Sequence, residues 1–102
     1  MTTEITHNTD DHRYELALDG EFVGVVEYRD ADGVREIFRT AVDPAVRGRG
    51  LAAELLARSV ADIRAEGLLL LPTCAYALDY VSKHPEHLEL VPPDSAQRLG
   101  LV

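Results

Sequence analysis

The chain is poor in several residue types, and each shortage excludes a class of protein. Its 102 residues include one cysteine, Cys74, so the chain can form neither an internal disulfide nor a cysteine-cluster metal site. No apolar run approaches the length of a membrane span, and the first residues lack the charged-then-apolar pattern of a secretion signal. These shortages predict a cytoplasmic protein that does not act at a membrane.

Basic residues are also scarce. Lysine and arginine number 10 against 18 aspartate and glutamate residues, which gives a formal net charge of -8. This charge argues against nucleic acid and against an anionic membrane surface, because both partners require a basic face. Four of the ten basic residues nevertheless fall between Arg35 and Arg49, where they could meet an anionic ligand. The acidic remainder suits either a cationic acceptor or simple solubility.

Apolar residues make up 46% of the chain, which is enough for one core. Their spacing predicts three strands joined by two tight turns into an antiparallel meander, over residues 13–18, 22–29 and 34–42. Phe22 is expected to share one face of the second strand with Gly24, Val26 and Tyr28. Residues 1–11 are polar and aperiodic, which predicts a flexible tail.

A helix is predicted over residues 50–66, because apolar residues recur there at helical spacing and a glycine follows. Glu54 and Arg58 are expected to form an exposed ion pair on it. The short apolar run at residues 68–71 is typical of a strand covered on both faces. A strand, a crossover helix and a buried strand imply a parallel pair, so the sheet is predicted to be mixed.

A second helix is predicted over residues 74–83, with Thr73 as its N-cap and a proline after its end. Residues 88–91 are expected to form a short edge strand, and residues 92–102 a C-terminal tail. The predicted fold is therefore α/β (α+β), with one domain over residues 12–91. It comprises a three-stranded meander, a crossover helix, a splayed parallel strand and a second helix.

The most informative stretch joins the third strand to the first helix. It runs Arg47-Gly48-Arg49-Gly50-Leu51-Ala52. N–H groups at the start of a helix lack helical acceptors, and the helix dipole adds positive potential there. Glycine lets the backbone approach a ligand closely, and arginine adds mobile charge. The loop therefore predicts a phosphate or pyrophosphate site. The alternative is a plain strand-to-helix turn with solvated arginines.

Cys74 is the second informative residue. It falls at the start of a helix and at the carboxyl end of a buried strand, the edge where open α/β sheets bind ligands. The loop at Arg47 lies at the same edge of the parallel neighbour, so the two segments are predicted to converge on one crevice. The alternative is an inert cysteine that packs as a small apolar residue.

Two motifs carry a resemblance to a known family. The R-x-x-G-x-A pattern that starts at Arg47 resembles the Q/R-x-x-G-x-G/A signature of the GNAT superfamily of N-acetyltransferases. The P-x-C-x-Y pattern that starts at Pro72, followed by H-P-E at His84, resembles a compact single-domain subgroup of that superfamily. The similarity spans residues 5–91, and the motifs follow one another in the expected order.

This resemblance implies acetyl-CoA as the cofactor, bound where the third strand and the short parallel strand splay apart. Its pantetheine arm would pair with backbone near Ala41 and Val42, and residues 47–52 would hold its pyrophosphate. Cys74 would face the thioester. An amine acceptor would attack the thioester carbonyl, whose developing oxyanion needs a backbone N–H donor.

Two departures from the larger GNAT enzymes concern the acceptor and the acid. The tight turns leave no room for the two helices that build the acceptor site in those enzymes. The acceptor side should therefore be open, so that the acceptor could be a protein surface or a partner chain could complete the site. The tyrosine that protonates the CoA thiolate in many members aligns with Val81 here, with Tyr80 beside it.

Cys74 is left with three roles: a nucleophile that carries the acetyl group, a proton donor to the departing thiolate, or a residue that lines the pocket or forms a mixed disulfide with CoA. His84 is a candidate base, although a cap or surface position also explains it. Tyr80 is a further candidate, but core packing together with Tyr76 is its expected role. The spacing of the other histidines predicts no metal site.

Three functions are compatible with these residues. The first is an acetyltransferase that uses acetyl-CoA and an amine acceptor. The second is a non-catalytic CoA-binding module or sensor, and the third is a small structural protein with a fortuitous loop. The acceptor and the oligomeric state stay open.

Overall fold

Residues 2–102 are described by a computed structural model, in which five strands lie in chain order across one sheet. The strands are β1 (Thr3–Asn8), β2 (Arg13–Leu18), β3 (Glu21–Ala31), β4 (Val34–Val42) and β5 (Leu69–Pro72). The first four pair antiparallel, and β4 pairs with β5 in parallel. The predicted mixed α/β sheet, with a crossover helix before the parallel strand, is confirmed.

The helical elements of residues 2–102 are α1 (Leu51–Ala65), α2 (Ala75–Lys83), α3 (Pro93–Arg98) and 3₁₀ turns at Pro44–Val46 and Pro85–Leu90. The apolar stripe of α1 packs on the sheet, where Leu55 and Ile63 are fully buried. Across this part of the chain, no helix combines the length and the apolar content that a membrane crossing requires.

We call the face of the sheet that α1 covers the inner face. Gly24 of β3 marks it, because a Cβ at this position would lie 3.1 Å from Leu55 Cδ1. Glycine is needed here for the close approach of helix to sheet. Inner-face side chains such as Tyr14, Leu16 and Val26 are fully buried and form the core with α1.

Bulges move side chains between the two faces. The register passes from Leu16↔Gly24 to Ala17↔Phe22, so β3 holds one extra residue between its two pairs. Phe22 therefore shares the outer face with its partner Ala17 and is 57% exposed. The expectation that Phe22 shares a face with Val26 and Tyr28 is wrong for this reason. A second bulge at Phe38 shifts β4 in the same way.

The expected flexible tail at residues 1–11 is wrong in its greater part, because β1 pairs with β2 along six residues. Met1 lies outside the described residues. His7 stacks on Tyr14 of β2, with ring centroids 4.2 Å apart. The antiparallel meander thus has four strands instead of three. The positions of β1 that face the core carry only one apolar residue, Ile5, so the alternation is weak in the sequence.

Three further expectations are wrong. The segment expected as an edge strand at residues 88–91 belongs largely to the 3₁₀ turn Pro85–Leu90. The expected tail at residues 92–102 contains α3, whose Ala96 is buried. Its two prolines start the helix, since a fixed φ and a missing N–H suit a first helical turn. On α1, Arg58 bonds Asp62 at 3.2 Å instead of the expected Glu54.

Candidate functional site

The loop between β4 and α1 leaves open space beside its two glycines. Gly48 and Gly50 have φ angles of 83° and 75°, a left-handed conformation that favours glycine. A Cβ at either position would meet no atom within 4 Å. The preceding 3₁₀ turn is capped by Asp43, whose carboxylate accepts from Ala45 N at 2.9 Å. The loop is thus held at its start and open where its glycines lie.

α1 begins directly behind these glycines. Its first intrahelical bond runs from Glu54 N to Gly50 O at 3.1 Å. The three N–H groups before this bond have no helical acceptor, and the glycine N-cap supplies no side-chain hydrogen bond to them. They belong to Leu51, Ala52 and Ala53. Together with the dipole of a 15-residue helix, these groups favour an anion at this end of α1.

The parallel strands separate as predicted. The β4–β5 register ends at Ile37 and Pro72. The N–H groups of Thr73 and Cys74 then both donate to Ile37 O, at 3.1 and 3.3 Å, and the chain turns into α2. β4 continues to Val42 without this partner. We call the region between the last residues of β4 and α2 the splay.

The β3–β4 register determines which backbone groups face the splay. Asp43 N donates to Val23 O at 2.7 Å. Because hydrogen-bonded and non-bonded pairs alternate in an antiparallel ladder, Ala41 directs its backbone toward β3. Thr40 and Val42 then direct theirs into the splay. In agreement, Val42 O accepts a bond from the loop, from an arginine Nε at 3.3 Å.

Of the two residues predicted to pair with pantetheine, Val42 therefore faces the splay and Ala41 does not. Thr40, which the sequence interpretation omitted, does face it. The difference comes from the bulge at Phe38, which reverses the direction of the following backbone groups. The arginine that bonds Val42 is Arg47, so the loop and the end of β4 are in direct contact.

Cys74 is the N-cap of α2, the position expected for Thr73. Its Sγ accepts from Ala77 N at 3.4 Å and lies 3.4 Å from Thr40 Oγ1. The side chain is half-buried. The thiol thus faces the splayed part of β4 at the start of a helix.

Glu36 was not among the predicted residues. It accepts from Thr73 Oγ1 at 2.7 Å and from Arg29 Nε at 3.0 Å. The bond from Thr73, and to a smaller extent the bond from Arg29, lower the pKa of Glu36. An ionised Glu36 therefore holds the residue that precedes Cys74. Nothing local in the sequence signals this contact, which depends on the parallel register.

The first turns of α1 share a cavity of about 240 Å³ with α2. Residues from both helices line it: Ala52, Ala53, Leu56, Tyr76, Asp79, Tyr80, Lys83 and His84. Two weaker candidates, Tyr80 and His84, thus lie beside Ala52 of the predicted pyrophosphate loop. Cys74 is not among the residues that line this cavity.

His84 and Tyr80 form one unit. Their rings stack with centroids 4.2 Å apart, and His84 Nδ1 donates to Tyr80 O at 2.8 Å, since a carbonyl only accepts. In a neutral ring, Nε2 is then the nitrogen that can take a proton. Burial, aided by Glu86, raises the pKa of Tyr80, so its phenol keeps its proton at neutral pH. Tyr76 is 44% exposed, so its expected core role is wrong.

One cluster away from the splay brings metal-ligand atoms together. His7, Asp62 and Glu66 place such atoms within 4.8 Å of one another. The buried guanidinium of Arg35 already bonds Glu66 at 3.1 Å and Asp30 at 2.8 Å. The guanidinium of Arg35 therefore already neutralises this acidic cluster, and we assign no metal to it.

Comparison with solved structures shows the same fold elsewhere. A GCN5-like N-acetyltransferase from Staphylococcus aureus, solved by NMR, superposes with a TM-score of 0.69 at 20% identity, covering 87% of each chain. The ribosomal-protein-S18-alanine N-acetyltransferase from Escherichia coli gives a TM-score of 0.57 at 21% identity, covering 59% of this chain and 39% of that enzyme.

N-acetylglutamate synthase from Neisseria gonorrhoeae, solved with coenzyme A and N-acetyl-glutamate, gives a TM-score of 0.55 at 25% identity over 60% of this chain. This chain thus spans 39% of the Escherichia coli enzyme and 15% of the Neisseria synthase. By sequence, no curated protein matches significantly.

The family comparison is more extensive. The sequence model described as GCN5-related N-acetyl-transferase matches residues 13–90, which include the loop, the splay and Cys74. Because this match covers well over half of the chain, the protein belongs to the GCN5-related N-acetyltransferase family.

Proposed function

We propose that the protein is an acetyltransferase that takes an acetyl group from acetyl-CoA and transfers it to an amine. The observation that carries this proposal is the start of α1. Three N–H groups without a helical acceptor follow two left-handed glycines, and a Cβ at either glycine would meet no atom within 4 Å. Such a helix start binds a phosphate or pyrophosphate through its amides.

The residues around this helix start fit the cofactor. Residues 47–52 would hold the pyrophosphate, and the side chains of Arg47 and Arg49 would add positive charge. Backbone groups of Thr40 and Val42 would pair with the pantetheine arm in the splay, in place of the expected pairing with Ala41. Acetyl-CoA, when bound, supplies an activated acetyl thioester. A backbone N–H directed into the splay would stabilise negative charge on the carbonyl oxygen.

Cys74 would act as the reactive thiol of the site. As a nucleophile, its thiolate would attack the acetyl carbonyl, so that a bond forms between Sγ and the acetyl carbon and CoA leaves as its thiolate. The acceptor amine would then attack the acetyl carbon, Cys74 would leave as its thiolate, and the proton lost by the amine would go to the CoA thiolate. As a proton donor, Cys74 would instead protonate the departing CoA thiolate after direct attack by the amine, whose lost proton would restore the thiol.

The acceptor is an amine of unknown identity. A groove on the outer face borders the end of β4, and in the described residues no helix lies between the first four strands. The acceptors named for related folds differ from each other: an alanine of a ribosomal protein in one and glutamate in another. A protein surface therefore remains one of the acceptor classes to test.

Intact-mass spectrometry after exposure to acetyl-CoA tests this function. An acetyl group on Cys74 in the absence of acceptor would identify it as the nucleophile. Transfer to an added amine that survives in Cys74→Ala would reduce Cys74 to a residue that lines the pocket. Saturable CoA binding with no transfer to peptides, polyamines, amino acids or the protein itself would contradict the enzyme and identify a CoA-binding module.

A further inference from the structure

A groove of about 540 Å³ opens on the outer face of the sheet, away from α1. It runs across β2, β3 and β4 and ends at the loop that follows β4. Its volume lies in the range of small-molecule sites, roughly 300–1,000 Å³. The sequence motifs did not predict this groove. Phe22 forms one of its walls only because a bulge in β3 turns this side chain outward.

The floor of this outer groove is apolar. Val23 and Val25 are each 7% exposed, and Ala41 lies beside them. Phe22, 57% exposed, stands at the side. An exposed phenylalanine next to a valine floor offers a surface for one apolar side chain, whose burial contributes roughly 25 cal/mol per Å². The floor therefore selects a ligand with an aliphatic or aromatic part.

The rim of the groove carries adjacent charges of opposite sign. Arg39 Nη1 and Glu27 Oε1 are 2.5 Å apart, and their side chains are 56% and 27% exposed. An exposed pair of this kind contributes at most about 1 kcal/mol to stability, so either partner can turn to a ligand at little cost. The lining also holds the carboxylate of Asp43 and two engaged guanidinium groups: Arg13 pairs with Glu15 at 2.6 Å, and Arg47 donates to Val42 O.

These charges exclude two simple ligand classes. A polyamine would meet the guanidinium groups of Arg13, Arg39 and Arg47. A multiply charged anion would meet the carboxylates of Glu27 and Asp43, which both line the groove. A zwitterion with neighbouring positive and negative groups suits the rim, since its carboxylate can bond Arg39 while its ammonium bonds Glu27.

We propose that the outer groove binds a free α-amino acid with an apolar side chain, held as a zwitterion between Glu27 and Arg39. Ala41 and Val42 belong to the groove lining, and the backbone of Val42 also faces the splay. The groove and the splay therefore adjoin the same end of β4. The role of the bound amino acid as the acetyl acceptor rests on the proposed function. Its binding to the groove does not.

Nuclear magnetic resonance titration of the full chain without CoA tests the binding directly. The probe is L-leucine, compared with isopentylamine, which lacks the carboxylate, and 4-methylpentanoate, which lacks the amine. Saturable shifts of the amides of Val23, Val25 and Ala41 are expected with L-leucine. Each comparison ligand should bind about tenfold more weakly or worse, because it loses one charge-assisted contact. Equal affinity for isopentylamine, or no saturable shift in the groove, would overturn the proposal.

Charge-removing variants supply the second part of the test. Glu27→Gln and Arg39→Gln should each weaken L-leucine binding about tenfold, by the same loss of one charged contact. Arg29→Gln removes an exposed arginine that pairs with Glu36 outside the groove, so it should leave binding unchanged. A loss in Arg29→Gln equal to that in Arg39→Gln would contradict a specific site. CoA binding is measured separately. Its absence would count against the proposed function but would not change the result for L-leucine.

Discussion

Cys74 shows how much one side chain does in this fold. Its sulfur caps α2 by accepting from Ala77 N, and the same atom lies 3.4 Å from Thr40 Oγ1 on the splayed strand. Glu36 holds the preceding residue through Thr73 Oγ1 at 2.7 Å. The position of the thiol is therefore set by its own cap and by a carboxylate that lies on β4.

Substitutions at Cys74 separate its cap from its reactivity. Serine is a strong N-cap, so Cys74→Ser should unfold in urea with a free energy at least equal to that of the wild type, whereas Cys74→Ala should lose about 1 kcal/mol. Both variants should lose acetylation at this position. Equal destabilisation by serine and alanine would show that the sulfur does not act as a cap.

At the scale of elements, the loop and β1 are each held by a small number of contacts. The loop depends on glycines in left-handed conformation ahead of α1. β1 is a polar edge strand whose inner side is anchored by His7. That ring stacks on Tyr14, and its Nε2 lies 2.6 Å from Tyr28 Oη. The loop is thus the proposed ligand-binding element, and β1 completes the sheet.

Two glycines allow a matched test of the loop. Gly50 and Gly67 have φ angles of 75° and 71°, and a Cβ at either meets nothing within 4 Å. Alanine at each should cost about 1 kcal/mol of unfolding free energy, because left-handed backbone is strained for alanine. Only Gly50→Ala should also weaken CoA binding, by about tenfold, since only its methyl group lies in the loop that would hold the pyrophosphate. Equal CoA affinity of the two variants by calorimetry would contradict a role for the loop.

The anchor of β1 predicts a pH dependence. Burial, followed by the charge of Arg35, lowers the pKa of His7, although Asp62 and Glu66 oppose the shift. The unfolded chain therefore takes up this proton first, and folding stability falls as the pH drops through the usual histidine pKa of about 6.5 toward the folded value. His7→Phe keeps a ring on Tyr14 but cannot be protonated.

Urea unfolding at about pH 7.5 and pH 5.5, on either side of the histidine pKa, measures this effect. The loss of stability between the two values should be smaller in His7→Phe than in the wild type. Identical losses in the two proteins would show that another group governs the pH dependence.

At the scale of the whole molecule, an acidic chain surrounds a local set of arginines. The net charge is -8, yet Arg39 lies on β4, and Arg47 and Arg49 lie in the loop that follows this strand. Within the described part of the chain, no helix lies between β1 and β4, and the outer groove opens on β2, β3 and the end of β4, whereas α1 covers the inner face. The proposed acetyl-CoA and acceptor sites would therefore approach β4 from different directions.

Local signals in the sequence were enough to predict much of this arrangement. Glycines, arginines and helical spacing predicted the loop and α1, and tight turns predicted the order of three antiparallel strands. Contacts between distant residues were not predictable in the same way. Glu36 and Thr73 are 37 residues apart, and the outward turn of Phe22 depends on a bulge. β1 was missed because His7 supplies its anchor by ring stacking instead of by apolar alternation.

The central claim is that the backbone N–H groups at the start of α1 bind the pyrophosphate of CoA. The most direct measurement is isothermal titration of the full chain with CoA and, separately, with pantetheine, which lacks the nucleotide and the pyrophosphate. Charge-assisted bonds to the loop amides predict saturable CoA binding and an affinity for pantetheine at least about a hundredfold lower. Absence of CoA binding, or equal affinity for the two ligands, would contradict the account.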